Sequence, residues 1–363
     1  MNIKGLKICF IAGTLGVGGA ERQLYIILST LKKLGASISL ISLTNGEYWE
    51  QPIKDLGIDY NTLKGRGNKA TRLLKIITLL IKIKPAIVQS QHFYTNLYAG
   101  IASKFCGAIS IGSSRSELRV EIMLNGFFGP VCYKVPKYII ANSQKSVKQA
   151  IVLGKKASRV FYLTNALDLQ KFSPGNKAKS DKDNITLLAI GSLISLKRFD
   201  IFIDLVARLR LIYGERIKGQ LIGNGVLGEQ LRQLAINAGM QQDAFEFVSN
   251  THAPETYMRD ADFLIICSEY EGTPNVAIEA MASGLPVIST KVGNLPYFIK
   301  DGENGFFYDH SVEQLTEILT DLINNKEKAA VVSANARKTA EELFSTEALE
   351  KNLVLIYEQI TRY

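Results

Sequence analysis

Two successive series of short apolar, β-branched runs, each run followed by a longer helical pattern, restrict this chain to an α/β architecture built twice. In the first series the runs are Lys7–Gly13, Ser37–Leu43, Ala86–Ser90, Ala108–Ser113 and Tyr138–Ser143. Helical patterns at Ala20–Leu34, Ala70–Lys82 and Asn96–Phe105 lie between them. The runs are apolar on nearly every residue rather than on alternate ones, as parallel strands covered on both faces require. The order predicts a doubly wound parallel sheet. A second series, Ile185–Ile190, Gly219–Ile222, Phe245–Val248, Phe263–Cys267 and Pro286–Ser289, predicts another. Residues 173–184, SPGNKAKSDKDN, combine Pro, Gly and charge without apolar periodicity and read as a linker. The expected organisation is therefore a Rossmann-like domain over 1–172, the linker, and a second Rossmann-like domain over 185–345. Ligands of such sheets sit at the C-terminal strand ends, so the predicted site is a cleft between two facing halves.

Charge divides along the same line. The net charge of +9 is the sum of +16 over residues 1–172 and −7 over the rest. The basic half is expected to face an anion: nucleic acid, acidic lipid or a diphosphate-bearing substrate. No zinc-finger spacing or aromatic RNA-binding signature is present, which argues against nucleic acid. Cys9, Cys106, Cys132 and Cys267 are far apart and lack metal-ligand spacing, so they read as reduced core residues of a cytoplasmic protein. Lys4 and Lys7 before an apolar run imitate a secretory leader, but the glycine-rich continuation favours a first strand and turn. No run of about 20 apolar residues is free of charge, so no membrane-spanning helix is expected.

Three glycine-bearing turns follow strands. TLGVGGAE (Thr14 to Glu21) lets the backbone approach a phosphate or sugar at a helix N-terminus. Its spacing is not GxGxxG, which disfavours a nicotinamide or flavin enzyme. GSLISLKRFD (Gly191 to Asp200) puts Lys197 and Arg198 near the start of a helix, where a cation opposes the helix dipole. An anionic ligand would offset that cost, so one of the two is expected to clamp a diphosphate. LIGNG (Leu221 to Gly225) is a further turn at the same sheet edge.

The most specific stretch is SEYEGTPNVAIEAMASGLPVIST (Ser268 to Thr290). A buried strand runs into the turn Glu271-Gly272-Thr273-Pro274-Asn275, and Pro274 suits the first turn of a helix that Gly284 ends. Free N–H groups of this turn can bind a phosphate or sugar hydroxyls. Glu271 and Glu279, with seven residues between them, suit a polyhydroxylated ligand because carboxylates accept hydroxyl hydrogen bonds. The plain alternative is that Glu271 caps the helix and Glu279 is an ordinary helical residue.

GVGGAE, GSLISLKRFD, LIGNG and EGTPNVAIEAMASGLPVIST, in that order, make the chain resemble the retaining glycosyltransferases of family 4, the group 1 glycosyltransferases. The resemblance extends to LTNALD (Leu163 to Asp168), Gly293 and DGENG (Asp301 to Gly305). It implies the GT-B fold, two facing Rossmann-like domains, with a last helix over 346–363 packing back on the first domain. It also implies that Glu271, with Gly272 to Asn275, contacts the donor sugar, that Glu279 holds the ribose hydroxyls and that Lys197 holds the diphosphate. Gly18 and Gly19 would approach the phosphates, and His92 matches an active-site histidine. Two departures stand out. Ser192 replaces a frequent arginine, leaving Arg198 as a substitute charge, and Tyr297 stands where an acidic residue is common. Asp260-Ala261-Asp262 imitates a metal-binding DxD but abuts a strand, and the histidines His92, His252 and His310 are scattered. No metal and no cofactor are expected, the nucleotide sugar being a substrate.

The reading is a metal-independent hexosyltransferase using a UDP- or GDP-sugar, with UDP favoured, and a glycan or lipid-diphosphate-linked acceptor, in cell-surface polysaccharide synthesis. A nucleotide-sugar epimerase of the same fold and a non-catalytic carbohydrate-binding relative are the alternatives. The basic amphipathic segment Ala70 to Lys84, with Arg72, Lys75 and Lys82, could lie on anionic lipid or pack on the sheet. Met123 to Ile140, with Phe127, Phe128 and Tyr133, is a second interfacial candidate. Both suggest peripheral attachment to the inner face of the plasma membrane.

Overall fold

In the computed structural model, which describes residues 3–63, 68–175, 184–249, 251 and 253–362, thirteen strands form two sheets. The first holds β1 (Lys7–Ala12), β2 (Ser37–Ser42), β3 (Asp59–Thr62), β4 (Ile87–Ser90), β5 (Ile109–Ser114), β6 (Tyr138–Ala141) and β7 (Val160–Tyr162). Their order is β3-β2-β1-β4-β5-β6-β7, and every pair is parallel. The second holds β8 (Ile185–Ile190), β9 (Ile217–Ile222), β10 (Phe245–Val248), β11 (Phe263–Ile266), β12 (Val287–Thr290) and β13 (Phe306–Tyr308), in the order β10-β9-β8-β11-β12-β13. These strands are parallel too. Strand order turns back beside β1 in one sheet and beside β8 in the other, the doubly wound topology expected from the sequence.

The continuous apolar runs have the predicted cause. Along β1, Ile8, Phe10 and Ala12 pack in one core with Leu24, Ile27 and Leu31 of the helix Gly19–Lys33. The alternate residues Cys9 and Ile11 pack in another, with Ile76 and Leu80 of the helix Lys69–Ile83. Along β11, Phe263 and Ile265 face one layer while Leu264 and Ile266 face the other. Opposite faces of each strand are thus both covered.

The chain divides into two units, Met1–Ala166 with Thr346–Tyr363, and Leu167–Ser345. The boundary lies ahead of the expected position after residue 172, because Leu167 and Phe172 sit in the second unit's core. Leu167 N–H donates to Phe344 O at 2.9 Å, and Arg337 Nη1 donates to Phe172 O at 2.7 Å. Most of the expected linker, residues 176–183, falls outside the described residues. The helix Thr346–Thr361 buries Leu349, Leu353, Ile356, Tyr357 and Ile360 in the first unit's core. Each such side chain contributes about 1.5–3 kcal/mol. The Tyr357 hydroxyl donates to Gln89 Oε1 of β4 at 2.6 Å.

Three edge strands escaped the sequence pattern: β3, β7 and β13. DYNT of β3 is largely polar and partly exposed, and the other two span three residues each. An edge strand needs no continuous apolar run, since one side meets solvent.

Candidate active site

In the second unit, the loops after β8, β9, β11 and β12 interlock by main-chain hydrogen bonds. Leu193 N–H donates to Asn224 O at 2.9 Å, Glu269 N–H to Leu196 O at 2.9 Å and Asn294 N–H to Gly272 O at 2.8 Å. Thr290 Oγ1 donates to Ser268 O at 2.6 Å. Gly293 has φ +54, and a Cβ there would lie 2.0 Å from Gly272 O and 2.7 Å from Glu271 O. Only a glycine lets these two loops approach so closely.

That frame brings Lys197 and Glu271, 74 residues apart, into a direct ion pair beside the switch point between β8 and β11. Ser268 Oγ donates to the same Glu271 oxygen at 2.8 Å. Glu271 is therefore no helix cap. Lys197 ends a 3-10 turn, Ser195–Lys197, and Arg198 follows in a left-handed conformation as the N-cap of the helix Phe199–Tyr213. Arg198 turns to carboxylates, donating to Asp200 at 2.9 Å and Glu269 at 3.2 Å. Those partners, Asp200 first, hold its guanidinium above its ordinary range. The locally unfavourable cations at this helix start are thus balanced by acidic side chains. Ser192 is exposed in the loop after β8.

The helix after the Glu271 turn spans Asn275–Ala282, one residue later than the sequence suggested, with Pro274 as its N-cap and no side-chain cap. Glu279 is buried on this helix. Thr273 is buried in the turn, and Gly272 and Asn275 are half-buried. Asp262 is a strand-start anchor: its Oδ2 accepts from Thr186 N–H at 2.8 Å. His310 is exposed after β13, Tyr297 is exposed, and His252 lies outside the described residues. Cys9, Cys132 and Cys267 are buried free thiols, and burial pushes Cys267 up to about 12.

In the first unit, Gly18 is the N-cap of the helix Gly19–Lys33, and His92 follows β4. His92 Nδ1 accepts from Gly13 N–H at 3.1 Å, and its Nε2 lies 3.2 Å from Glu21 Oε1. A backbone N–H can only donate, so the ring proton sits on Nε2 and points at Glu21. Glu21 belongs to the quoted GVGGAE, yet its partnership with His92 spans 71 residues and left no signal in the sequence. Gln91 Nε2 donates to Ala20 O at 2.7 Å and Arg115 Nη2 to Gln91 Oε1 at 3.2 Å, extending the network to the loop after β5.

That loop wraps Glu121, whose carboxylate accepts from Ser114 Oγ at 2.6 Å, Arg115 N–H at 3.0 Å and Ser116 N–H at 3.2 Å. Burial nevertheless wins and pushes its carboxyl up to about 7. The folded state therefore holds this proton more tightly than the unfolded chain, whose value is near 4.5. Its stabilising effect is complete below pH 4.5 and is lost as pH rises through 7. Glu121→Gln should accordingly gain about 2 kcal/mol on the native protein between pH 5 and pH 8. Denaturant titrations of both proteins at the two pH values measure it; an equal difference at both would refute the assignment.

The two interfacial candidates divide. Ile76 and Leu80 of the helix Lys69–Ile83 are core residues, while Leu74, Lys75, Ile81 and Lys82 are exposed. In the second segment Met123, Leu124 and Phe127 are 70%, 75% and 88% exposed, with Phe128 beside them. Lys69 Nζ lies 4.4 Å over the Phe128 ring. Tyr133, by contrast, is a core residue whose hydroxyl donates to Ala150 O. Among the described residues no helix is long and apolar enough to cross a membrane.

Solved structures share this fold. HepE of Anabaena, in complex with UDP and glucose, superposes with a TM-score of 0.83 at 18% identity over 97% of this chain and 99% of that one. Sucrose-phosphate synthase from Thermosynechococcus elongatus gives 0.81 at 16% identity over 98% and 99%. The architecture is thus the GT-B class of two Rossmann-like domains. Among curated proteins, an uncharacterized glycosyltransferase of Haemophilus influenzae is 24% identical over 93% of this chain and 96% of its own length. The poly(ribitol-phosphate) alpha-N-acetylglucosaminyltransferase of Staphylococcus aureus is 28% identical over 61% of this chain, a match spanning only 46% of that protein. The family model for glycosyl transferases group 1 matches residues 173–339, the stretch that carries Lys197, Glu271 and Glu279. That match falls within the second unit, Leu167–Ser345, which is therefore similar to the group 1 glycosyltransferases.

Proposed function

We propose that this chain transfers a hexose, with retention, from a UDP-sugar to a glycan or lipid-diphosphate-linked acceptor during cell-surface polysaccharide assembly. The observation that carries the reading is the Lys197–Glu271 pair at the C-terminal strand ends of the unit similar to the group 1 glycosyltransferases. Without donor, each charge neutralises the other. An arriving diphosphate competes for the Lys197 ammonium, which frees Glu271 to accept hydroxyl hydrogen bonds from the sugar. As the glycosidic bond breaks, Lys197 and the uncapped helix start at Asn275 oppose the charge growing on the leaving diphosphate. Buried Glu279 is assigned the ribose hydroxyls, and no metal is assigned a role. UDP is favoured over GDP because HepE is described with UDP and with UDP-glucose. The polysaccharide context draws on similarity to the Staphylococcus aureus capsular polysaccharide biosynthesis glycosyltransferase CapM, 26% identical over 78% of this chain, and to the Rhizobium meliloti lipopolysaccharide core glycosyltransferase LpsE. The test is acceptor-dependent release of UDP from a panel of UDP-sugars. Release of UDP without acceptor, accompanied by an epimerised free sugar, would favour the epimerase instead.

The acceptor side is assigned to the basic first unit, which rests on a membrane through Met123, Leu124 and Phe127. Exposed aromatic and aliphatic side chains beside Lys69 suit an anionic lipid surface, where apolar insertion and charge attraction add. The native protein should float with phosphatidylglycerol vesicles at low salt, and the Leu124→Ser, Phe127→Ser double variant should bind about tenfold less. Native protein left at the bottom of the gradient would remove this part of the reading.

A further inference from the structure

We propose that Arg337 is a positioning residue of the donor site: it fixes the C-terminal end of the helix Asn275–Ala282 and ties that end to the chain entering the second unit. The last four carbonyls of an α-helix have no partner within it. Here the turn beyond the helix satisfies three of them. Ser283 N–H donates to Glu279 O at 2.9 Å, Leu285 N–H to Ala280 O at 2.9 Å and Gly284 N–H to Met281 O at 3.1 Å. Gly284, at φ +66, lets the chain turn back in this way. The Ala282 carbonyl is left over, and Arg337 Nη1 donates to it across 55 residues of chain. One turn earlier on Arg337's own helix, Lys326–Phe344, Ser333 Oγ donates to Gly284 O.

Directional bonds matter here because the packing beside them is not directional. Ala336 and Ala340 share a core with Ala277, Ile278 and Met281 across the two helices. Apolar burial depends on area rather than direction, so it sets the spacing of the helices more firmly than their axial register. The bonds to Ala282 O and Gly284 O set that register. At the opposite end lies the uncapped start at Asn275, directly after the Glu271 turn, and Glu279 is buried between the two ends. A helix of 8 residues is about 12 Å long. A displacement at Ala282 therefore carries through to the groups assigned to the donor.

The guanidinium has further partners. Its Nη1 also donates to Phe172 O at 2.7 Å, both terminal nitrogens lie 3.5 Å from Leu169 O, and Nε donates to Glu341 Oε1 at 2.7 Å. Leu169 and Phe172 belong to the stretch that begins the second unit at Leu167. One rigid, planar group thus joins that stretch to the donor helix. A ligand that immobilises the start of the helix steadies residues 169–172 through Arg337.

This role rests on the proposed placement of the donor at the 271–275 turn. It is tested on the full chain by comparing the native protein with Arg337→Met and Arg337→Lys. Methionine keeps an apolar stem and loses every donor, whereas one lysine ammonium cannot span all three carbonyls at once. Calorimetry should show UDP binding weakened about tenfold in Arg337→Met and about threefold in Arg337→Lys. The KM for the UDP-sugar should rise in step while the KM for the acceptor stays within about twofold. UDP should also slow amide exchange at Gln170, Lys171 and Phe172 in the native protein by about threefold and leave it unchanged in Arg337→Met. An arginine that served folding alone would give neither the split in KM nor the nucleotide-dependent exchange. UDP affinity equal to native in Arg337→Met, or in Arg337→Lys should the methionine variant not fold, would overturn the role, as would an equal rise in both KM values. Exchange at residues 170–172 that ignores UDP in the native protein would overturn the tie to that stretch. Failure of the native protein to bind UDP would instead remove the donor assignment itself, and this role with it.

Discussion

Lys197→Ala should lower kcat/KM by about 10²–10³ and weaken UDP binding at least about tenfold. Two losses combine. The diphosphate loses its ammonium partner, and Glu271 is left with Ser268 Oγ as its remaining donor of the two that hold it. An uncompensated carboxylate beside the phosphates then repels the ligand it was placed to serve. The second loss can be separated from the first. A Lys197→Ala, Glu271→Gln double variant should recover part of the UDP affinity while remaining inactive, since the repulsion is gone and the sugar contact is not restored. Calorimetry with UDP and steady-state kinetics with the UDP-sugar measure both. Arg198→Ala should cost far less UDP affinity, because Asp200 and Glu269 already engage its guanidinium. Unchanged UDP affinity in Lys197→Ala would remove the diphosphate assignment.

Gly293→Ala should be nearly as damaging, by geometry rather than charge. The added Cβ would lie 2.0 Å from Gly272 O, an impossible approach to a main-chain atom, and φ +54 is itself strained for alanine. The contact is relieved only by moving the 271–275 turn or the loop after β12, breaking the 2.8 Å bond from Asn294 N–H to Gly272 O. Strain and overpacking together should destabilise the second unit by about 3 kcal/mol. Glu271 moves with its turn, so the KM for the donor should rise even at temperatures where the variant is folded. Thermal denaturation and donor kinetics check the two effects; a midpoint and KM equal to those of the native protein would show that the close approach is not maintained in solution.

Much of the fold was legible because it is written locally. KICFIA and SISLIS are apolar along their length, and the helix Gly19–Lys33 follows from the 3.6-residue spacing of Leu24, Ile27, Leu28 and Leu31. DYNT was not legible as a strand, since a partly exposed edge can be polar. The 271–275 turn was legible in its glutamate, glycine and proline. Its working state was not: Glu271 read equally as a helix cap or a ligand group until Lys197 and Ser268 were found on it.

By itself, then, the sequence determined two α/β series, the parallel character of their strands, and the segments that carry Lys197, Glu271, Glu279 and His92. Periodicity and turn chemistry act over a few residues, and they are visible wherever those residues are adjacent. Tertiary structure alone decided which charges meet. Parallel crossovers deliver loops distant in the chain to one sheet edge, which pairs Lys197 with Glu271 and His92 with Glu21, while Arg198, next in sequence to Lys197, is turned to Asp200 and Glu269. The same long-range packing moved residues 167–172 to the second unit and returned the last helix to the first. Burial of an apolar stripe depends on which complementary face is nearby in space, and position along the chain does not specify that.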